Sequence, residues 1–173
     1  MKRDVLDHGS VTLLDTMPRE DLDMEPVRAA RISYDGVMKG KEADEKLLRY
    51  LIKHEHDSTL EHVIFKFHIV APVVVWWQFV RHRLVSYNFQ SGRYTEMADI
   101  FYVPDVDQWR IQSKTNKQGS EGHIHSSKNP AGSLPDAEAT LGDELTDLMQ
   151  ETIKEGVEKY QYALRMGVAK EQA

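Results

Sequence analysis

The sequence predicts an α+β fold, a small antiparallel sheet packed with several helices. Residues 10–17 and 65–70 have the β-branched or alternating character of strands, whereas residues 21–31, 42–56 and 137–166 repeat apolar side chains at helical intervals. No internal repeat is visible. A length of 173 residues with 40% apolar content fits one domain, 1–173, with a core of its own.

Residues 10–17 (SVTLLDTM) read as a short strand that Pro18 interrupts. Residues 21–31 then place Met24, Val27, Ala30 and Arg31 at helical spacing, with Asp21 as the cap. Gly36 and Gly40 flank a polar connection. After it, residues 42–56 carry Ala43, Leu47, Leu48, Leu51 and Ile52 on one face and charges on the other, which predicts an amphipathic helix of about four turns. Phe65, Phe67 and Ile69 alternate with Lys66 and His68, as in a half-buried strand. Pro72 suits the first position of a helix, where its missing N–H costs nothing. The valine-rich run that follows is also compatible with a buried strand. A helix is preferred because it puts Gln78, Arg81 and His82 on one face. Residues 100–103 are strand-like. Residues 111–136, rich in Ser, Gly, Asn and Lys, read as a long surface loop and a candidate lid. The clearest helix is 137–166, with a stripe of Leu141, Leu145, Leu148, Met149, Ile153, Val157, Tyr160 and Leu164, closed by Gly167 as a left-handed cap. Residues 168–173 resemble the first turn of another helix, which suggests a fragment or a fold completed by a partner.

A net charge of −6 disfavours general nucleic-acid binding, which draws on basic stripes. With no cysteine there is no disulfide, thiolate nucleophile or Cys-based metal site. The N-terminus has no apolar signal region, and the apolar stretch near 69–80 is too short to span a bilayer, so the expectation is a soluble cytoplasmic protein without membrane or nucleic-acid partners.

The chemistry concentrates in residues 76–96. Arg81, His82 and Arg83 follow the apolar run, then come Ser86, Tyr87, Asn88, Gln90 and Ser91, a Gly92 that permits a tight turn, and Arg93. Adjacent guanidiniums repel unless something negative lies between them, and their planar forks of donors match phosphate or carboxylate. A glycine lets backbone N–H groups approach an anion closely. The plainer reading is a surface salt-bridge group beside Glu96 and Asp99. His54, His56, Glu61 and His62 offer imidazole and carboxylate, but at no recognised zinc spacing, so no metal is expected. That stretch fits better a loop in which Ser58 or Thr59 donates a hydroxyl to phosphate while His62 packs beneath. His123 and His125 fall in the polar loop and are expected to be solvated. Trp76 and Trp77 are expected in a core or a subunit interface.

Arg81-His82-Arg83, seven residues and then Ser91, continuing into Gly92-Arg93-Tyr94, resembles the signature of the flavin-dependent, thymidylate-synthase-complementing thymidylate synthases. His56-Asp57-Ser58, Glu61-His62, Phe65, Phe67-His68, Ala71-Pro72, Gln78, Phe101-Tyr102, Pro104 and Gly167-Val168 are similar to that family in order and spacing, so the resemblance covers nearly the whole chain. It implies the thymidylate-synthase-complementing type of α+β fold and a reductive methylation of dUMP to dTMP. Methylenetetrahydrofolate would be the carbon donor, NADPH the reductant and FAD the hydride carrier. The absence of cysteine agrees, because a flavin route needs no thiolate on the uracil ring. By position, the resemblance implies FAD contacts at Ser58, Arg81, His82 and Arg83, with Ser58 serving a neighbouring subunit, and a dUMP cradle of Gln78, Arg81, Gln90, Ser91, Gly92 and Arg93. It also implies a homotetramer with active sites at subunit contacts. Two departures stand out. Phe89 occupies a position where many relatives carry Glu or Gln. The family's activating arginine and a further dUMP-binding arginine belong to a segment beyond Ala173, so the resemblance implies that a chain ending there is catalytically inactive alone.

Overall fold

The computed structural model describes residues 1–129 and 140–173, which divide into two compact units, Met1–Ala71 and Pro72–Ala173. The expected class holds, with small antiparallel sheets and five α-helices among the described residues.

The first unit is built on a three-stranded antiparallel sheet, β1 (Lys2–Val5), β2 (Gly9–Met17) and β3 (Ile64–Val70), with β2 in the middle. The register runs from Lys2↔Thr12 to Val5↔Gly9 on one side and from Ser10↔Val70 to Met17↔Ile64 on the other, broken by a bulge at Leu14. β1 escapes a sequence reading because three of its four residues are charged. Such charge is what an exposed edge strand carries to discourage further pairing.

A 3-10 turn at Leu22–Met24 leads into α1 (Glu25–Ile32), with Pro26 in its first turn. Asp21 does not cap it. Its backbone is left-handed, and its carboxylate instead accepts from the Arg28 guanidinium. α2 (Lys41–Lys53) starts one residue before the expected segment and ends three residues before it. Its buried face is shifted, because Ala43 is exposed while Asp44 is buried. Arg31 donates to the Asp44 carboxylate at 2.8 Å, and the Lys39 and Gly40 N–H groups donate at 3.1 and 3.0 Å. A charge withdrawn from water needs such partners, and here the start of a helix supplies two of them. Above all the Arg31 hydrogen bond, with the two backbone donors, holds the Asp44 carboxyl below its ordinary range against the opposing effect of burial. Val27 and Leu51 are the buried apolar residues of the described chain. Phe65 and Phe67 share one face of β3, as the alternation predicts, yet each is about half exposed (52% and 49%).

α3 (Asp57–Leu60) is a single turn closing this unit's helical part. The second unit opens with α4 (Val73–Phe79), which settles the valine-rich run as helix. Pro72 stands just before it with extended backbone, one position earlier than expected. Residues 100–103 form no strand. The expected long loop instead contains a hairpin of β4 (Arg110–Gln112) and β5 (Ser120–His123), whose tip is tied by the Gln112 amide donating to the carbonyls of Lys117 (3.2 Å) and Gly119 (2.9 Å). Polar side chains bonding to local backbone can order a segment that has little to bury. The rest of the lid expectation, residues 130–136, lies outside the described residues.

α5 (Leu141–Arg165) is the longest helix, and the expected start at 137–140 lies largely outside the described residues. Its tightly buried positions are Gly142 and Thr146 rather than the leucines. A Cβ on Gly142 would stand 2.2 Å from the Val106 carbonyl oxygen and 2.9 Å from that of His125, so the helix packs backbone to backbone there. The Thr146 hydroxyl accepts from the Trp109 indole N–H at 2.9 Å. At the far end Gly167 adopts φ 83°. Its N–H donates to Leu164 and that of Val168 to Ala163, the paired bonds of a glycine-closed helix end. Among the described residues no helix is long and apolar enough to cross a membrane.

Candidate functional site

The Arg81-His82-Arg83 segment is positioned by the end of α4. The helix stops at Phe79, so Arg81 and His82 lie in the turn that follows rather than on the helical face expected for them. Their N–H groups donate to the carbonyls of Gln78 and Phe79. Cations just past a helix C-terminus are favoured by its exposed carbonyls, which offsets part of the repulsion between neighbouring arginines. Arg81, His82 and Arg83 are exposed, and among the described residues Arg81 and Arg83 form no ion pair. Glu96 and Asp99, the carboxylates of the plainer reading, pair with none of the three arginines. Arg93 approaches Glu171, with Nε 3.9 Å from the carboxylate. That is a long contact between largely exposed groups and neutralises little.

Aromatic rings support this turn from behind. Phe79, Tyr87 and Phe89 meet the Trp76 ring edge-on, with centroids 5.5, 6.3 and 5.0 Å away, and His82 meets Phe79 at 5.4 Å. Such edge contacts contribute about 0.5–1.5 kcal/mol each beyond the area they bury. Phe89 is therefore accounted for as a packing residue of the Trp76 cluster. Trp77 is 65% exposed, outside any core of the single chain.

Residues 91–95 form a compact turn. The Ser91 carbonyl accepts from the N–H groups of Tyr94 and Thr95, the Ser91 hydroxyl from the Arg93 N–H at 3.3 Å, and Gln90 donates to the Thr95 hydroxyl at 3.1 Å. Gly92 lies outside the left-handed region, so this turn does not demand glycine. What the missing side chain gives is room, since a Cβ would come within 3.3 Å of the Met97 sulfur.

Within the same unit a hollow of about 410 Å³ opens beside Gly92. Met97, Phe101 and Val157 give it apolar walls, and Asp99, Gln161, Lys170 and Glu171 line it with polar groups. Tyr160 joins its two sides, accepting from the Met97 N–H at 3.1 Å, and Lys170 donates to the Tyr94 carbonyl at 3.1 Å. Of the residues expected to contact dUMP or FAD, Gly92 alone lines it. Gln78, Arg81, His82, Arg83, Gln90, Ser91 and Arg93 do not. Sequence reasoning placed Tyr160 only in the helical stripe and did not single out Lys170. For Tyr160 the available signal was a hydroxyl within an otherwise apolar stripe.

Ser58 belongs to the first unit, exposed on the single turn of α3. The Thr59 hydroxyl is committed to the His56 carbonyl at 2.8 Å, which leaves Ser58 as the available hydroxyl of the pair. His62 is exposed and does not pack beneath them. His54 and His56 instead lie against the Tyr50 ring, at 4.3 and 5.7 Å. Among the described residues no three His, Asp or Glu side chains gather as a metal-holding group.

The second unit thus carries two candidate features: the exposed guanidiniums of Arg81 and Arg83, which among the described residues form no ion pair, and a partly apolar hollow beside Gly92 whose lining includes Asp99, Lys170 and Glu171. A family model described as thymidylate synthase complementing protein matches residues 12–173, and the chain belongs to this family. A flavin-dependent thymidylate synthase of Kosmotoga olearia is 39% identical over 173 residues, covering 100% of this chain and 67% of the relative. That of Thermus thermophilus is 39% identical over 169 residues, 98% and 55% of the two chains. The crystal structure of a UMP/dUMP methylase PolB from Streptomyces cacaoi bound with 5-Br dUMP superposes with a TM-score of 0.72 at 26% identity, covering 98% of this chain and 67% of that one. Across the curated relatives the chain spans from 40% to 68% of their length.

Proposed function

We propose that these residues form the nucleotide- and flavin-holding part of a flavin-dependent thymidylate synthase, which converts dUMP to dTMP with methylenetetrahydrofolate as carbon donor and NADPH as reductant. The observation that carries this reading is that Arg81 and Arg83, on a turn braced by the Trp76 cluster, form no ion pair among the described residues. A purely structural ion-pair group would have neutralised them.

The residues fit the groups assigned to them. FAD and dUMP both carry phosphates, and planar guanidinium donors match phosphate oxygens. The hollow's volume lies within the ordinary range for small-ligand sites, and its Phe101 and Val157 walls suit a flat ring. When bound, the flavin supplies hydride transfer. The chain's own residues hold and orient. Arg81 and Arg83 fix phosphate, Ser91, Gly92 and Arg93 present donors to the nucleotide, Gln78 and Gln90 direct amides at it, and Ser58 contacts FAD of a neighbouring subunit.

That last role requires an oligomer, and a homotetramer is proposed. Apolar side chains left open on β3 and on α4, including Phe65, Phe67, Val74 and Trp77, agree with a chain that buries surface against copies of itself. Equilibrium dialysis with FAD and with dUMP tests the assignment. Saturable binding of both supports it; dUMP binding without flavin would favour a nucleotide-binding module without redox chemistry.

A further inference from the structure

Tyr87 stands at a place in the segment to which neither the signature nor the cradle assigns a role. Its hydroxyl lies 2.9 Å from the carbonyl oxygen of Phe79 and 2.9 Å from that of His82. One O–H carries one proton, so the two carbonyls share it. The Phe79 carbonyl also accepts the N–H of His82, at 3.1 Å. Tyr87 therefore reaches back to both ends of the turn that carries Arg81 and His82. Among the described residues no other side chain hydrogen-bonds into residues 79–86. Residues 80–86 are otherwise exposed, with Leu84 at 93%. The ring itself is half-buried, edge-on to Phe79 at 6.0 Å and stacked on Phe89 at 6.1 Å.

We infer that Tyr87 is a positioning residue, whose hydroxyl locks the helix-end turn so that Arg81 and His82 are presented to the phosphorylated ligand in one geometry. This rests on the proposed role of that turn in holding FAD and dUMP. The physical reason is entropic. Arginine side chains on an unrestrained loop would have to be ordered at the moment of binding, and a preorganised turn removes part of that cost. Phe89 supports the same ring, which gives an apolar residue a function at a position where a polar contact to ligand was expected.

The test compares the protein with Tyr87→Phe, which keeps every ring contact and deletes only the oxygen. Tyr162→Phe, on the exposed side of α5, is the control for loss of a tyrosine hydroxyl elsewhere. Two readouts are taken: amide hydrogen exchange at Arg81 and His82, and affinity for FAD and dUMP. Tyr87→Phe should exchange faster at those two amides and bind FAD about threefold to tenfold more weakly, the range one neutral hydrogen bond supports, with a still cooperative melting curve shifted only slightly and an unaffected control. Unchanged exchange overturns the clasp, whatever the ligands do. Faster exchange with unchanged affinities overturns its positioning role while leaving the proposed function standing. If the unsubstituted protein retains neither FAD nor dUMP, the proposed function fails and the ligand-positioning role fails with it.

Discussion

Arg81 is the side chain on which most of the proposed chemistry converges, and its lack of an ion pair among the described residues makes its replacement informative. Arg81→Ala should weaken retention of FAD or dUMP by at least about tenfold, the scale of one charge-assisted hydrogen bond, while far-UV circular dichroism stays as it was. His82→Ala should be milder for dUMP than for FAD; equal losses would contradict the division of roles between them. Asp44 is informative for stability. Its carboxyl titrates lower in the folded chain than in the unfolded one, chiefly because Arg31 donates to it. The unfolded state therefore binds the proton more readily, and the resulting stability is complete above about pH 4 and lost as pH falls below that value. Acid titration of Asp44→Asn should show a smaller loss of stability over that window than the unsubstituted protein. An identical acid limb would show that the carboxylate's pairing contributes nothing to the fold. The residue scale is also where reading from sequence was weakest. Asp44 sits within a charged face of an amphipathic pattern, and nothing in the spacing reveals that Arg31, thirteen residues away, pulls it inward. Gly92 was legible as special but for a different reason, since room beside Met97 matters and a left-handed turn does not.

At the scale of elements, strong periodicity was legible and tertiary contact was not. β2, β3, α2 and α5 were visible because each repeats apolar residues at its own spacing over two turns or more, or over several alternations. β1 was hidden by its charges, and the β4–β5 hairpin by a composition that ordinarily marks loops. In the hairpin, side-chain amides such as Gln112 substitute for a buried face. α5 shows how a correct helix can have a wrongly placed contact face. The leucine stripe suggested packing by large side chains, whereas the closest approach is at Gly142 and Thr146. Gly142→Ala should therefore destabilise by about 3 kcal/mol, because the new methyl meets two backbone carbonyls that cannot rotate away. Gly167→Ala should cost about 1 kcal/mol, the penalty of a left-handed cap with a Cβ. Thermal unfolding of the two variants checks both values, and a Gly142→Ala protein as stable as its parent would contradict the backbone packing described for α5.

Over the whole molecule, the fold class and the family were legible because the signature from Arg81 to Arg93 spans a length that chance seldom fills, and the matched region extends across residues 12–173. The hollow beside Gly92 was not legible, because it is lined mainly by residues distant in sequence from that signature, among them Tyr160 and Lys170. Among the described residues Val27 and Leu51 are the buried core side chains, and broad apolar surface stays open on β3 and α4. Sedimentation at micromolar concentration should accordingly give a mass several times that of one chain, and a monomer would leave Ser58 without the neighbouring subunit it is proposed to serve. The most direct measurement of the central claim is a spectroscopic titration of the protein with FAD, followed by dUMP, alongside Arg81→Ala. The account predicts saturable perturbation of the flavin spectrum that responds to dUMP and is lost in the variant; a flavin spectrum indifferent to the protein, or equal in both, would contradict it.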